Sequence, residues 1–384
     1  MPTPSVTILS SLHPLAREAA VTRARLHRPD VVVLHHELGT LPGDGSVHRV
    51  ERSATGETDT SIPVTWGCCL SCLLREDTLA ALRALDGVAV LLVLPTCVEP
   101  AMVARVLHEH SVVHLDAIVT VVDPAALEAD LWSHRSLGAD DPSAPGDDER
   151  SVAEVLGRQL QHADIVLHPP ASDRTIALLD ALAPAARRVP ADAEVARWIG
   201  SARHDAERLE RSLAIAVPCP RVHVDRHGVT TATWSRRRPL HPQRFLDTCE
   251  DGSLADVIRA TGHLWVATRP STVLEAEMTG GSYELAAVDA WLAAVPVWDR
   301  VEGSRREAAS TRWHPYWGDR AQDLELVCVE RDTREVIAAL DACLLTDHEL
   351  SEGEDGWTSW PDPFASWFGD EAELLTPTPD TEIP

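Results

Sequence analysis

Short apolar runs alternate with amphipathic segments along the first half of the chain. The runs at 6–9, 31–34, 88–94 and 117–122 consist mainly of valine, isoleucine and leucine and contain no charged residue. Strands that are buried on both faces have this character, and the helices between them cover the two faces of a parallel sheet. The alternation therefore predicts an α/β domain built on a parallel sheet.

The pattern changes after a charge-rich helical stretch at 191–212, because strand-like runs then mix with helices. A chain of 384 residues is long enough for two domains that each bury a core. The predicted organisation is a first domain at 1–205, a linker at 206–220, a smaller α+β domain at 221–350 and an acidic, tryptophan-containing tail at 351–384. We expect this tail to be loosely ordered, and its tryptophans either bind a partner or attach the tail to the second domain.

Composition excludes several classes of partner. The formal charge of −26 argues against nucleic acids and anionic membranes, since both require a basic surface. No apolar stretch reaches the roughly 18 residues of a membrane helix, and the first residues lack a basic region. We expect a cytoplasmic protein without a disulfide framework.

Three of the eight cysteines are clustered. Cys69 and Cys72 form a CxxC pair, and Cys68 is adjacent to it, just before a predicted helix. Two thiolates at this spacing can bind one soft metal ion such as zinc, and a helix N-terminus favours the thiolate for metal binding or redox chemistry. Three incidental small residues are the alternative. The remaining cysteines are predicted to be small buried residues: Cys97, Cys219, Cys249, Cys328 and Cys343.

Two other segments follow predicted strands. Ser11–Glu18 occupies the place of a phosphate-binding loop, but it contains no glycine, and Pro14 suits the first turn of an ordinary helix. His35, His36 and Glu37 follow the second strand and could ligate a metal, although a histidine pair in this place is more often solvated or hydrogen-bonded.

Several segments resemble the CobW-type family of zinc-handling GTPases. Residues 67–77 resemble the family's Gly-Cys-x-Cys-Cys-x-Leu-Arg-Glu-Asp segment, with Ser71 in place of the middle cysteine. Residues 115–123 resemble the strand before the guanine-reading segment, and four segments of the second half resemble the family's C-terminal domain: 238–245, 262–267, 318–322 and 340–346. The resemblance implies a P-loop NTPase-like parallel sheet domain followed by a smaller α+β CobW C-terminal domain.

The resemblance also implies GTP-coupled delivery of zinc or a related metal to client proteins. Cys69 and Cys72 fall on metal-binding cysteines of the family, so the implied thiolate ligands are these two. Cys68 is a candidate third ligand. Residues 36–39 resemble the family's Asn-Glu-Phe-Gly segment, which makes Glu37 a candidate fourth ligand.

The nucleotide-binding elements of the family are altered in this chain. Its Gly-x-x-Gly-x-Gly-Lys-Thr loop falls on Ser11–Glu18, where Arg17 keeps only a positive charge and Glu18 places a carboxylate near the phosphates. The glutamate of the third strand falls on Val93 and the following glycine on Thr96. The guanine-reading Asn-Lys-x-Asp falls on 169–172, which reads Pro-Pro-Ala-Ser. We therefore expect zinc to bind and GTP with magnesium not to bind.

Three hypotheses follow from the sequence. The first is a zinc chaperone or regulatory protein that has lost GTP binding and hydrolysis and acts on a metal-client protein or a paralogous GTPase. The second is an active GTP-dependent zinc metallochaperone whose altered phosphate loop is built around Arg17. The third is an interaction partner of an intact paralogue, in which the cysteines bind no metal.

Overall fold

The structure is a computed structural model that describes residues 3–38, 46–63, 70–85, 87–111, 113–140, 148–213, 224–296, 301 and 303–368. The chain divides into two compact units, residues 1–212 and 213–384.

Within its described residues, the first unit forms an eight-stranded sheet in the order β4-β3-β2-β5-β1-β6-β7-β8. From β2 to β8 along this order the neighbouring strands are parallel, whereas β3 and β4 continue the sheet as an antiparallel hairpin. The strands are β1 (Ser5–Ser10), β2 (Val32–Leu38), β3 (Ser46–Ser53), β4 (Gly56–Pro63), β5 (Ala89–Val93), β6 (His114–Val121), β7 (Ile165–His168) and β8 (Arg187–Pro190).

Helices connect these strands and cover the sheet. They are α1 (Pro14–His27), α2 (Leu70–Arg83), α3 (Pro100–His110), α4 (Leu127–Leu131), α5 (Leu137–Asp140), α6 (Val152–Gln161), α7 (Asp173–Leu182) and α8 (Ala206–Leu213). One core cluster joins β1, β5 and β6 to α1 through fully buried side chains such as Leu9, Leu91, Val119 and Ala24. The predicted parallel α/β architecture of the first half is confirmed.

The β3–β4 hairpin is not apparent from the apolar pattern. Strand β4 reads Gly-Glu-Thr-Asp-Thr-Ser-Ile-Pro, and all its residues except Ile62 are exposed. An edge strand with both faces in solvent needs no apolar alternation, because its pairing with β3 supplies its hydrogen bonds.

The second unit is built on an antiparallel sheet of six strands among its described residues, in the order β13-β12-β11-β14-β10-β9. The strands are β9 (Val224–Arg226), β10 (Val229–Arg236), β11 (Val257–Leu264), β12 (Thr272–Thr279), β13 (Ser282–Ala290) and β14 (Gln322–Val329). The helices are α9 (Pro242–Glu250), α10 (Gly303–Arg312), α11 (Thr333–Ala342), α12 (Asp347–Ser351), α13 (Gly353–Trp357) and α14 (Ala365–Phe368). A core around the fully buried Trp234, Phe245 and Leu340 packs α9 and α11 on one face. The predicted α+β character is confirmed.

The beginning of the acidic tail is folded. Trp357 is 1% exposed, and its indole N–H donates to the carbonyl oxygen of Glu349 at 2.7 Å. Phe364 is fully buried in the core of the second unit, whereas Trp367 is 47% exposed. The expectation of a loosely ordered tail is therefore wrong up to residue 368, because these aromatic side chains attach it to the second unit. Residues 369–384 lie outside the described part.

Gly262 in β11 provides a test of the second sheet. Its φ is +153°, and a Cβ added there would lie 1.9 Å from the carbonyl oxygen of Asp323 in β14. We expect Gly262→Ala to lower the free energy of unfolding by about 3 kcal/mol or more, since the sheet must separate locally. Gly56→Ala is the matched control, because Gly56 has a φ of +147° and open space around it, and it should cost about 1 kcal/mol. Urea unfolding measures both, and equal losses would contradict the packing described for β11.

Candidate functional site

The connection between β1 and α1 is a tight turn of three residues, 11–13. The Ser11 hydroxyl donates to the carbonyl oxygen of Val121 at 2.8 Å and accepts from the backbone N–H of His13 at 3.1 Å. The His13 ring pairs with the carboxylate of Asp130 at 2.8 Å. Helix α1 then begins directly at Pro14. The predicted strand–turn–helix is thus what this segment forms, and there is no extended loop between the two elements to wrap phosphates.

Arg17 lies inside the first turns of α1 with its side chain buried. Its Nη1 donates to the carbonyl oxygen of Leu94 at 3.0 Å, just beyond the end of β5, and the residue is 7% exposed. The Glu18 carboxylate is 3.9 Å from Arg17 Nε. The positive charge at the position of the phosphate-binding lysine is therefore turned towards a backbone carbonyl and a carboxylate.

Residues 169–172, which fall on the family's guanine-binding segment, connect β7 to the start of α7. Pro169 and Pro170 are exposed, and the carbonyl oxygen of Pro169 contacts the His168 ring at 2.7 Å. Ser172 is the N-cap of α7, because its hydroxyl accepts from the backbone N–H of Thr175 at 3.1 Å. These residues cap a helix and present neither an amide side chain nor a lysine.

At the positions that resemble the family's nucleotide-binding elements, this chain carries other residue types. The phosphates need glycine backbone N–H groups, a free lysine and a hydroxyl ligand for the metal, and none of these stands at the corresponding positions. The third-strand position holds Val93, which is fully buried, and Thr96 is 2% exposed.

Only part of the cysteine segment lies within the described residues. Cys68 and Cys69 lie outside them, and Cys72 stands in the first turn of α2 with its side chain outside the description. The helix is anchored one turn later, where the Asp77 carboxylate pairs with His36 Nε2 at 2.7 Å and with Arg49 Nη1 at 2.5 Å. A thiol in the first turn of a helix gains stabilisation of its thiolate from the helix dipole.

Glu37 lies on the other face of β2 from His36. Successive side chains of a strand point to opposite faces, and the contact of His36 with Asp77 shows which face α2 covers. The Glu37 carboxylate is half exposed, 3.8 Å from His35 Nδ1 and 3.7 Å from Arg52 Nη2. The structure therefore does not bring Glu37 to the face that carries α2, and its role as a metal ligand stays a prediction.

A cavity of about 520 Å³ lies beside α2 and α3. Its walls are mainly apolar, and its polar lining includes His36, Arg75, Cys97, Glu99 and Arg150. The sequence predicts Cys97 to be a small buried residue. In the structure it is half-buried and lines this cavity. Nothing in its spacing marks it, since only the fold brings it next to α2.

Arg150 holds the rim of this cavity. Its guanidinium pairs with Asp148 at 2.6 Å and with Glu99 at 3.1 Å, and it donates to the carbonyl oxygen of Cys97 at 2.6 Å. The hydrogen bond to Asp148 is the main reason that the pKa of Arg150 is raised. The cation is therefore neutralised by its neighbours and serves to position the 97–99 turn.

No group of three or more His, Cys, Asp or Glu side chains among the described residues is already arranged to hold a metal ion. No described helix is both long and apolar enough to cross a membrane.

The fold is that of a nucleotide-binding α/β unit joined to a second, antiparallel unit. Residues 19–195 match the family described as CobW/HypB/UreG, nucleotide-binding domain. Residues 229–344 match the family described as cobalamin synthesis protein cobW C-terminal domain. The chain belongs to the CobW family, whose curated members include zinc chaperones and GTPase metalloprotein activators.

Two curated relatives and one solved structure are similar to this chain. Zinc chaperone Rv0106 of Mycobacterium tuberculosis is 31% identical over 379 residues, which cover 91% of this chain and 90% of the relative. Zinc-regulated GTPase metalloprotein activator 1 of Dictyostelium discoideum is 25% identical over 265 residues, 65% of this chain and 56% of the relative. The Zn(II)-bound YjiA GTPase from E. coli aligns at 13% identity over 90% of this chain and 100% of that chain, with a TM-score of 0.37.

His35 predicts a pH dependence of stability. Burial is the main cause that lowers its pKa to about 3, and the guanidinium groups of Arg17 and Arg52 lower it further. Between pH 6.5 and about 3 the unfolded chain binds a proton that the folded chain does not, so stability falls as the pH falls through this window. In this window the free energy of unfolding should fall by about 1.4 kcal/mol per pH unit because of His35, and we expect His35→Gln to remove this dependence. His27→Gln, at an exposed position in α1, is the control, and equal slopes in both variants would contradict the buried, neutral His35.

Proposed function

We propose that this protein is a zinc-binding member of the CobW family that works without GTP. It holds zinc through the thiolates of Cys69 and Cys72, with Cys68 as a third ligand, and passes the metal to a client protein or to a paralogous GTPase. Zinc is thus the cargo of the protein.

The observation that carries the proposal is the buried Arg17. The helix that contains it begins at Pro14, and its guanidinium donates to the carbonyl oxygen of Leu94. To reach a phosphate, Arg17 would have to leave this carbonyl, and a hydrogen bond of a charged group contributes about 1.5–3 kcal/mol. The three-residue turn would also have to open against the bonds of Ser11 and His13. The match to the nucleotide-binding domain begins at residue 19, just after this segment.

The zinc part of the proposal is supported by relationship and by ligand chemistry. A relative named as a zinc chaperone aligns with 91% of this chain. Thiolates are soft ligands that prefer zinc or copper(I) to magnesium, and the first turn of α2 favours the thiolate of Cys72. Because Glu37 lies on the other face of β2 from α2, we expect it to contribute less to zinc affinity than the cysteines.

Zinc titration of the reduced full-length protein tests the ligand set. We expect a saturable high-affinity site in the wild-type protein and a loss of this affinity of more than about 100-fold in Cys69→Ser and in Cys72→Ser, because each removes a thiolate from the metal. Glu37→Gln should change the affinity by less than about tenfold. Cys249→Ser, in α9 of the second unit, is the cysteine control and should leave the affinity unchanged.

Two results of this titration would contradict the zinc proposal. One is the absence of a saturable site in the reduced wild-type protein. The other is an unchanged affinity in both Cys69→Ser and Cys72→Ser, which would favour an interaction protein that does not use these cysteines.

Nucleotide binding is tested separately with a fluorescent GTP analogue and magnesium. We expect no saturable binding up to about 1 mM, which corresponds to less than about 4 kcal/mol of binding free energy. Arg17→Ala should leave this result unchanged, since the side chain faces Leu94. Micromolar binding that Arg17→Ala abolishes would instead support a working phosphate loop built around this arginine.

A further inference from the structure

Two histidines meet at the amino-terminal edge of the first sheet. His108 stands in the last turn of α3, which leads into β6, and His204 lies just before α8. The backbone N–H of His204 donates to the carbonyl oxygen of Asp116 in β6 at 2.8 Å, which fixes it at this edge. Their ring centroids are 5.0 Å apart, with 30° between the ring planes.

The His204 ring is oriented by a buried carboxylate. Its Nδ1 contacts Asp164 Oδ2 at 2.8 Å, and the side chains of His204 and Asp164 are 2% and 1% exposed. Asp164 also accepts from the backbone N–H of Ile118 at 2.8 Å and pairs with Arg208. A carboxylate can only accept, so Nδ1 of His204 carries a proton, and in the neutral form of the ring Nε2 then presents a lone pair. Metal-binding histidines are commonly oriented by a carboxylate in this way.

The nitrogens that remain have no partner in the described part of the chain. Nε2 of His204 and Nδ1 of His108 are both buried, and neither has a hydrogen-bond partner among the described residues. Leaving one such polar group unsatisfied costs about 1–3 kcal/mol, so two of them on neighbouring rings point to a bound species.

The spacing of the rings fits a metal ion between them. With zinc–nitrogen bonds of about 2.0–2.1 Å and a tetrahedral angle, the centroids of two ligating imidazoles lie about 5 Å apart. The observed separation is 5.0 Å. Burial is the main cause that lowers the pKa of His108, while the carboxylate of Glu210 acts in the opposite direction. His108 is therefore neutral at physiological pH, which is the form that binds metal.

We propose that His108 and His204 form a second metal site, for zinc or a similar divalent transition ion, with the exposed carboxylate of Glu210 in α8 as the third protein ligand. The two imidazoles are the preformed part, because no group of three ligating side chains is already arranged around one point within the described residues. Glu210 turns inward and water completes the shell. This site is distinct from the cysteine site, since α2 begins at the opposite, carboxyl-terminal edge of the sheet, where His36 contacts Asp77.

The test uses the full-length variant Cys68→Ser/Cys69→Ser/Cys72→Ser, so that the outcome does not depend on the proposed cysteine site. Cobalt(II) is titrated and followed by its visible absorption, and competition with zinc gives the zinc affinity. We expect one saturable site per chain. His108→Asn and His204→Gln in this background should each weaken it by at least about tenfold. His110→Asn, an exposed position in the same turn of α3, is the matched control and should bind as the parent does.

Thermal unfolding shows whether each variant is folded. His108→Asn decides the matter if His204→Gln does not fold, because His204 also pairs with the buried Asp164. Loss of binding in folded His108→Asn with retention in His110→Asn supports the site. The absence of saturable cobalt uptake by the triple cysteine-to-serine variant overturns it, and so does equal uptake by His108→Asn and His110→Asn.

Discussion

Strand β1 lies between β5 and β6 at the centre of the first sheet, and its carboxyl end brings Arg17 within reach of the carbonyl oxygen of Leu94. In open α/β sheets this end of the central strand is where ligands bind. Here Ser11 bonds to Val121, His13 to Asp130 and Arg17 to Leu94. These contacts hold the turn between β1 and α1 in place, and they are the basis of our proposal that the protein works without GTP.

Much of this arrangement is predictable from sequence, for definite physical reasons. Strands buried on both faces must be apolar, so β1, β5 and β6 are recognisable as runs, and Pro14 marks the start of α1. The apolar pattern does not predict strand β4, because an exposed edge strand needs no apolar side chains. The anchoring of the tail by Trp357 depends on contacts with distant residues, which local composition does not reveal.

The metal ligands of the candidate site can be predicted from the sequence only where they lie together in one short segment. The spacing of Cys69 and Cys72 identifies a pair of soft ligands without any structure. Whether Glu37 joins them depends on which face of β2 it occupies, and only the contact of His36 with Asp77 settles that face. The pairing of His108 with His204 joins residues almost a hundred positions apart, so it depends entirely on the fold.

We propose that zinc binding in this protein is independent of GTP. Coupling between two ligands is reciprocal, so a nucleotide switch would appear as a change in zinc affinity. The most direct measurement is the zinc affinity of the reduced protein with and without magnesium and GTP at about 1 mM, a concentration that would occupy any site of ordinary strength. We expect the same zinc affinity within about twofold, which is less than about 0.5 kcal/mol by the relation of about 1.4 kcal/mol per factor of ten. A change of about tenfold or more would contradict this proposal and would show that GTP still controls the metal.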